Sequence, residues 1–246
     1  DVFIYAKETA MIRPQFKIDK DRVIIPVIFS KINGVSKDRK DYWSKIKELK
    51  QSSLAISIRD FPFTKTTKAN YLFHFRHSLD KEGALSPEKM LAGNWWRYGH
   101  LPIELQRALA ETIKDYCEHP KLLKLNHETE NDLQLYLFKQ ASLIPEDFLR
   151  LLQKFDYSQD VPRIVLYNMG NHSQFTREDA ALLLFLNEFG IDIVMYNPAA
   201  QTDIENYVDP SYYDTHWLED IVFEQEYPDF QQREKSLIKK FIKRIF

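Results

Sequence analysis

The apolar positions of this chain follow two periods, and the changes from one to the other mark its elements. From Val161 to Glu205 it reads VPRIVLYNMGNHSQFTREDAALLLFLNEFGIDIVMYNPAAQTDIE. Arg163 to Tyr167 is a short apolar run suited to a buried pleated surface, with Pro162 at its first edge, where a missing N–H does least harm. Asn168 to Phe175 is a turn-rich mixture. Thr176 stands three residues before Asp179 in the manner of a helix-capping pair, which predicts a helix from Arg177. Ala180 to Phe189 is apolar almost all round, so this helix should be buried on more than one side, and Gly190 fits its left-handed C-terminal cap. Ile191 to Tyr196 is a second buried strand. Two strands this close, joined by one helix, predict a right-handed parallel βαβ crossover.

The same reading is fainter elsewhere. Val2 to Ala6 and Arg22 to Phe29 read as strands, although Pro26 argues that the latter lies at an edge or a bulge. After Phe29 come a loop with Lys31, Asn33 and Gly34, then Ser36 as a helix N-cap, then a helix with Tyr42, Trp43, Ile46 and Leu49 on its inner side. Leu54 to Ile58 predicts one more strand. Between about Thr67 and Phe155 the period becomes helical: Pro102 suits a first turn, Leu105, Leu109, Ile113 and Tyr116 share a stripe, and Leu133–Ala141 and Phe148–Phe155 are further short helices. Asp229 to Phe246 places Phe230, Leu237, Ile238, Phe241 and Ile242 on one stripe with lysines opposite, the pattern of a docked amphipathic C-terminal helix. The expected organisation is an α/β segment over 1–66, a helical insert over 67–155, and a Rossmann-like βαβ segment with the C-terminal helix over 156–246.

Composition narrows the class without naming a reaction. With 246 residues, 44% of them hydrophobic, the chain can bury a sizeable core, and a net charge of -2 gives no global push toward nucleic acid or an anionic membrane. The single cysteine, Cys117, excludes an intrachain disulfide and fits a reducing cytoplasm; it falls in an amphipathic helix, where a buried inert thiol is the ordinary role. No apolar run reaches membrane-spanning length. The chain begins at Asp1 rather than Met, which suggests a fragment of a longer protein.

In open parallel α/β sheets, ligands bind outside the carboxyl ends of the strands, where helix N-termini present unpaired N–H groups. Three loops qualify. The first offers Asn168, Gly170, Asn171, His172 and Ser173, which suit a phosphate or sugar hydroxyl or are a solvated turn; His172 is a candidate acid–base group. The second supplies Lys31 as a cation with Asn33 and the flexible Gly34. The third runs from Asn197 to Asp203 and Glu205, two carboxylates that could bind Mg²⁺, accept from ribose hydroxyls or act as a general base, although Asp203 equally suits a helix cap. No G-x-G-x-x-G and no G-x-x-x-x-G-K-[ST] is present, which disfavours standard dinucleotide and P-loop sites. No third ligand joins His74 and His77 to make a metal site; Trp95-Trp96-Arg97-Tyr98-Gly99-His100, aromatic planes with Arg97 and His100, suits a base or sugar platform or ordinary aromatic packing, and Asp214, His216 and Glu219 form a further acid–base cluster.

The stretches VIIPVIFSKINGVSKDRKDYW, NWWRYGHLP, VPRIVLYN and TREDAALLLFLNEFGIDIVMYNP, with TDIE, resemble the YceG-like family, a component of a "biosynthetic module" found with tellurium-resistance and stress-response genes in bacteria. Ala200 departs from the glycine expected after Asn-Pro. The resemblance implies a cytoplasmic stress-response role in handling a nucleotide-like or sugar-like metabolite, and a parent protein longer than this chain. The expectation is therefore an α/β protein with a Rossmann-like parallel sheet that binds a phosphorylated or sugar-nucleotide-like ligand, in the manner of a glycosyltransferase-like transferase. A non-enzymatic scaffold or sensor with protein partners in a stress-response complex is the alternative.

Overall fold

The computed structural model describes residues 2–19, 22–155, 159–170 and 174–228. The expected C-terminal helix over 229–246 and the site candidates Asn171, His172 and Ser173 lie outside these. At the N-terminus the expected strand is instead a helical turn, Val2–Tyr5 (α1), because Val2, Phe3, Tyr5 and Ala6 all meet the core while Ile4 is exposed, a helical rather than alternating spacing. Lys17–Asp19 (β1) and Arg22–Ile24 (β2) form a short antiparallel ribbon. Pro26, which lacks a ladder donor, follows the end of β2, so the single strand expected over Arg22–Phe29 divides and Phe29–Asn33 forms a separate strand, β3.

Arg39–Lys50 is α2, capped by Asp38 rather than the expected Ser36; the Asp38 carboxylate accepts from the N–H groups of Lys40 and Asp41. Ala55–Ile58 is β4. Five helices follow: Leu72–His77 (α3), Pro87–Ala92 (α4), Ile103–Glu118 (α5), Glu130–Ala141 (α6) and Glu146–Gln153 (α7). The strand–helix–strand unit then appears as the sequence predicts, with Arg163–Tyr167 (β5), Arg177–Phe189 (α8) and Asp192–Asn197 (β6). Thr176 and Asp179 form a reciprocal capping box at the start of α8, and Gly190 ends it at φ 120°. Asp214–Trp217 is β7.

β3 to β7 make one parallel sheet in the order β4-β5-β6-β3-β7. Alternation along the strands divides its two faces. Ile164, Leu166, Ile193 and Met195 pack against α5, α6, α7 and α8 in the main core. Val165, Tyr167, Val194 and Tyr196 point the other way, onto Tyr42, Ile46 and Leu49 of α2. Fully burying one such leucine stabilises by roughly 1.5–3 kcal/mol, so α8, with Leu182, Leu183, Leu184 and Leu186 all buried, is fixed by packing more than by helix propensity. At the opposite, amino end of the sheet, Arg13 forks onto Asp192 at 2.8 and 2.7 Å, both side chains fully buried, and ties the N-terminal segment to β6.

This topology places a crevice. The chain leaves β3 toward the α2 face, whereas after β6 Ile204, Val208 and Tyr213 turn onto the α8 face. β3 and β6 are neighbours with exits that part to opposite sides, which is where open α/β sheets hold ligands.

Candidate functional site

β6 and β3 end in asparagine and a third asparagine follows β5 directly: Met-Tyr-Asn197, Lys-Ile-Asn33 and Leu-Tyr-Asn168. Asn33 pairs with Asn197 in register, and Tyr167 with Tyr196 one step earlier, so Asn168, Asn197 and Asn33 lie in a row across three adjacent strands. The row sits on the same face as Phe29, Lys31 and Met195, immediately above the main core. Sequence reasoning named each asparagine as a loop residue. The recurrence of asparagine at three strand ends was the available signal, readable once the register is known.

Beneath this row a charged group is held almost out of water. The Lys31 ammonium, 1% exposed, donates to Asp203 Oδ1 at 2.7 Å, Glu205 Oε1 at 2.5 Å and the Gln201 carbonyl at 3.0 Å. Asp203 also accepts from the side-chain amides of Asn168 at 3.1 Å and Asn197 at 2.9 Å, and from the Ile204 N–H at 2.6 Å. Burial pushes the Asp203 carboxyl up, against the pull of Lys31 and the Ile204 N–H. For the half-buried Glu205 burial also acts upward, but the Lys31 ammonium and the Asp203 N–H outweigh it and hold the carboxyl below its ordinary range. Asp203 is also the cap of the short helical turn Ile204–Asn206, the structural role weighed for it.

The structure therefore brings Lys31, Asn33, Asn168, Asn197, Asp203 and Glu205 to one place. All three ammonium protons of Lys31 are engaged within the network, leaving none for an external phosphate. A Mg²⁺ ion on Asp203 and Glu205 does not fit this arrangement, because the ammonium already lies between the two carboxylates. Among the described residues, no group of three or more His, Cys, Asp or Glu is arranged to hold a metal ion. Asn33 differs from its neighbours in the row. Its residue is 3% exposed and its amide oxygen has no hydrogen-bond partner among the described residues, an acceptor left open beside the crevice.

Two glycines shape the loops around the row. Gly34, at φ +81°, is overlaid by residues 218–222; a Cβ there would meet the Asp220 carbonyl at 2.7 Å, so its role is close packing rather than open contact with a ligand. Gly170, at φ +77°, abuts the Gln201 side chain, which joins the β5 and β6 exit loops. Ala200 adopts φ 50°, a left-handed conformation, which accounts for the glycine expected there. At the start of α8 the Thr176 hydroxyl accepts from the Asp179 N–H, and the buried Asp179 carboxylate accepts from Phe63 N–H, Thr64 N–H, the Thr64 hydroxyl and Thr176 N–H.

Other candidates are placed apart from this row. Trp96 and Tyr98 are buried, Tyr98 donating to the Ala141 carbonyl, and Trp95 packs on His74 and Phe138, so the aromatic run packs the helical layer. His74 and His77 lie together on α3. Cys117 is buried, and burial pushes its thiol well above the ordinary range, as expected for an inert core residue. No helix among the described residues is long and apolar enough to cross a membrane. Sequence reasoning missed the Arg13–Asp192 clamp, which joins residues far apart in the chain.

Comparison with known proteins adds a family. No solved structure matches the chain. It is 46% identical over 245 residues to Uncharacterized protein YceG of Bacillus subtilis (strain 168), covering 100% of this chain and 45% of that protein. The chain thus spans less than half the length of that curated relative. The model of the YceG domain matches residues 1–240, and with nearly the whole chain accounted for on both counts, the chain belongs to the YceG domain family.

Proposed function

We propose that this domain binds a sugar-nucleotide-like metabolite at the carboxyl edge of its sheet, in the crevice where β3 and β6 part. The observation that carries the reading is the buried amide oxygen of Asn33 beside that crevice, which has no partner among the described residues. A buried acceptor without a partner costs roughly 1–3 kcal/mol, and a sugar or ribose hydroxyl donating to it would recover that. Glu205 supplies the reactive group if the ligand is turned over: its side chain is 32% exposed and Lys31 favours its ionised form, as a general base in a transferase requires. A phosphate on the ligand would find no free ammonium at Lys31, whose three protons are engaged internally. The resemblance of the sequence to a stress-response module supports a cytoplasmic role in tolerance to tellurium or related stress.

Titration calorimetry with uridine diphosphate glucose tests this. Binding is expected, and Asn33→Ala should weaken it while leaving the melting temperature within a few degrees of the parent. Absence of heat at millimolar ligand, together with unchanged tellurite tolerance in a strain carrying Asp203→Asn, would sink the reading. One observation favours a scaffold or sensor instead: Asp203 and Lys31 are saturated by groups of the chain itself, the pattern of a structural knot. Native mass spectrometry of the purified protein separates the two, since a retained small molecule supports binding and a retained protein partner supports the scaffold.

A further inference from the structure

On the opposite side of β3 from Lys31 lies a groove of about 470 Å³, between α1, the turn at Pro14 and Gln15, and the β3–β7 edge. Strand alternation separates the two places: Ser30 points to the α2 face and Lys31 to the α8 face. Ser30 pairs directly with Asp214, and Ile32 with His216, so Ser30, Asp214 and His216 share the groove face. Ser30 is 1% exposed and its hydroxyl has no hydrogen-bond partner among the described residues. Around it, the side chains of Gln15, Asp214 and His216 make no hydrogen bond or ion pair among the described residues. Gln15, Asp214 and His216 are exposed to solvent, so the buried Ser30 hydroxyl is the lining group that is left unsatisfied among the described residues. Gln15 is held at φ 72°, unusual for a residue with a side chain, and brings its amide to the rim.

The lining fixes the chemistry of an occupant. Tyr5 and Pro14 supply apolar wall, and the volume falls within the range of small-molecule pockets. The nearby buried charges, Arg13 and Asp192, neutralise each other in a bidentate pair, which leaves the exposed Asp214 carboxylate as an acidic group of the lining with no ion-pair partner among the described residues. An anion would meet repulsion. We infer that this groove is a second small-molecule site, taking a compact organic ammonium ion whose apolar body lies on Tyr5 and Pro14 and whose N–H groups reach Asp214 and Ser30. It does not depend on the proposed sugar-nucleotide site, since no residue is shared.

Three probes of one shape and different charge test it: phenethylamine, 2-phenylethanol and phenylacetate, titrated into the ¹⁵N-labelled protein. Phenethylamine is expected to bind best of the three and to shift the amides of Ser30 and Asp214. Asp214→Asn, an exposed and conservative change, should weaken phenethylamine at least about tenfold and leave 2-phenylethanol within about twofold. Asp214→Glu should retain the preference for the amine. The inference is overturned if phenylacetate binds as tightly as phenethylamine, if Asp214→Asn binds the amine as the parent does, or if millimolar amine moves no groove amide.

Discussion

Lys31 is the residue on which the chemistry of the sheet edge turns. Its ammonium neutralises Asp203 and Glu205 inside the fold, so removing it exposes the cost of two carboxylates more than it removes a contact. Lys31→Met is expected to destabilise by about 3–5 kcal/mol, the usual consequence of leaving a buried charge unpaired, read as a fall in the urea midpoint. Combining it with Asp203→Asn should cost less than the sum of the single variants, because the two share one interaction; strict additivity would show that the pair is not coupled. Backbone conformation gives a second contrast at this scale. Gly34 and Ala200 both adopt positive φ, but only at Gly34 would a Cβ strike backbone, the Asp220 carbonyl. Gly34→Ala is therefore expected to cost about 2 kcal/mol or more, whereas Ala200→Gly relieves strain, loosens the unfolded chain less favourably and should change stability by under about 1 kcal/mol. Equal effects in thermal denaturation would contradict the packing described at the β3 exit.

Among the elements, the unit from β5 to β6 was legible because its instructions are local: Thr176 with Asp179 starts α8, Gly190 stops it, and the apolar runs on either side can only be buried strands. Other elements are set by partners far along the chain. β7 is exposed along its length and carries no apolar alternation, so it exists as a strand only because β3 offers an open edge. The Val2–Tyr5 turn is too short for its period to be read, and the division of the expected strand at Pro26 depends on where β6 can pair. At the site, the position of both carboxylates after β6 was readable, but their neutralisation was not, since Lys31 and Asp203 are 172 positions apart. The start of α8 also carries a pH-dependent tie. Arg177 forks onto Glu128 at 2.9 and 2.5 Å, both side chains about one-tenth exposed. Burial raises the Glu128 carboxyl, but the Arg177 guanidinium and the Leu125 N–H outweigh it and hold it below the ordinary value of 4.5. A depressed folded value means that the stabilisation is full above the unfolded value and is lost as pH falls through the folded one. Glu128→Gln should therefore lower stability at neutral pH and flatten its loss in acid; an unchanged acid limb would show that the pair contributes nothing.

For the whole molecule the central question is whether the helical layer between β4 and β5 is a unit of its own. The sequence shows only a change of period near Thr67, which fits an inserted subdomain as well as a layer of one domain. Side chains from α3, α4, α5, α6 and α7 join Ile58, Ile164, Leu166 and Met195 of the sheet in one continuous core, with α8 between them. Tyr116 of α5 donates to the Ala181 carbonyl of α8 at 2.7 Å, and Cys117 beside it is buried against the same core. Opening the helical layer would thus expose the inner face of α8 and the sheet, and neither part can be lost without much of the apolar burial of the other. Cys117 provides the probe, because its thiol reacts only when that layer opens. Under conditions where reclosing outpaces labelling, the free energy from Cys117 modification should equal, within about 1 kcal/mol, that from hydrogen exchange of the β6 amides, which report global unfolding. A Cys117 value several kcal/mol lower would show that the helices open while the sheet stays folded. In that case the Lys31 network could persist without the helical layer, whereas a single shared value makes the sheet edge and its crevice dependent on every helix that covers the main core.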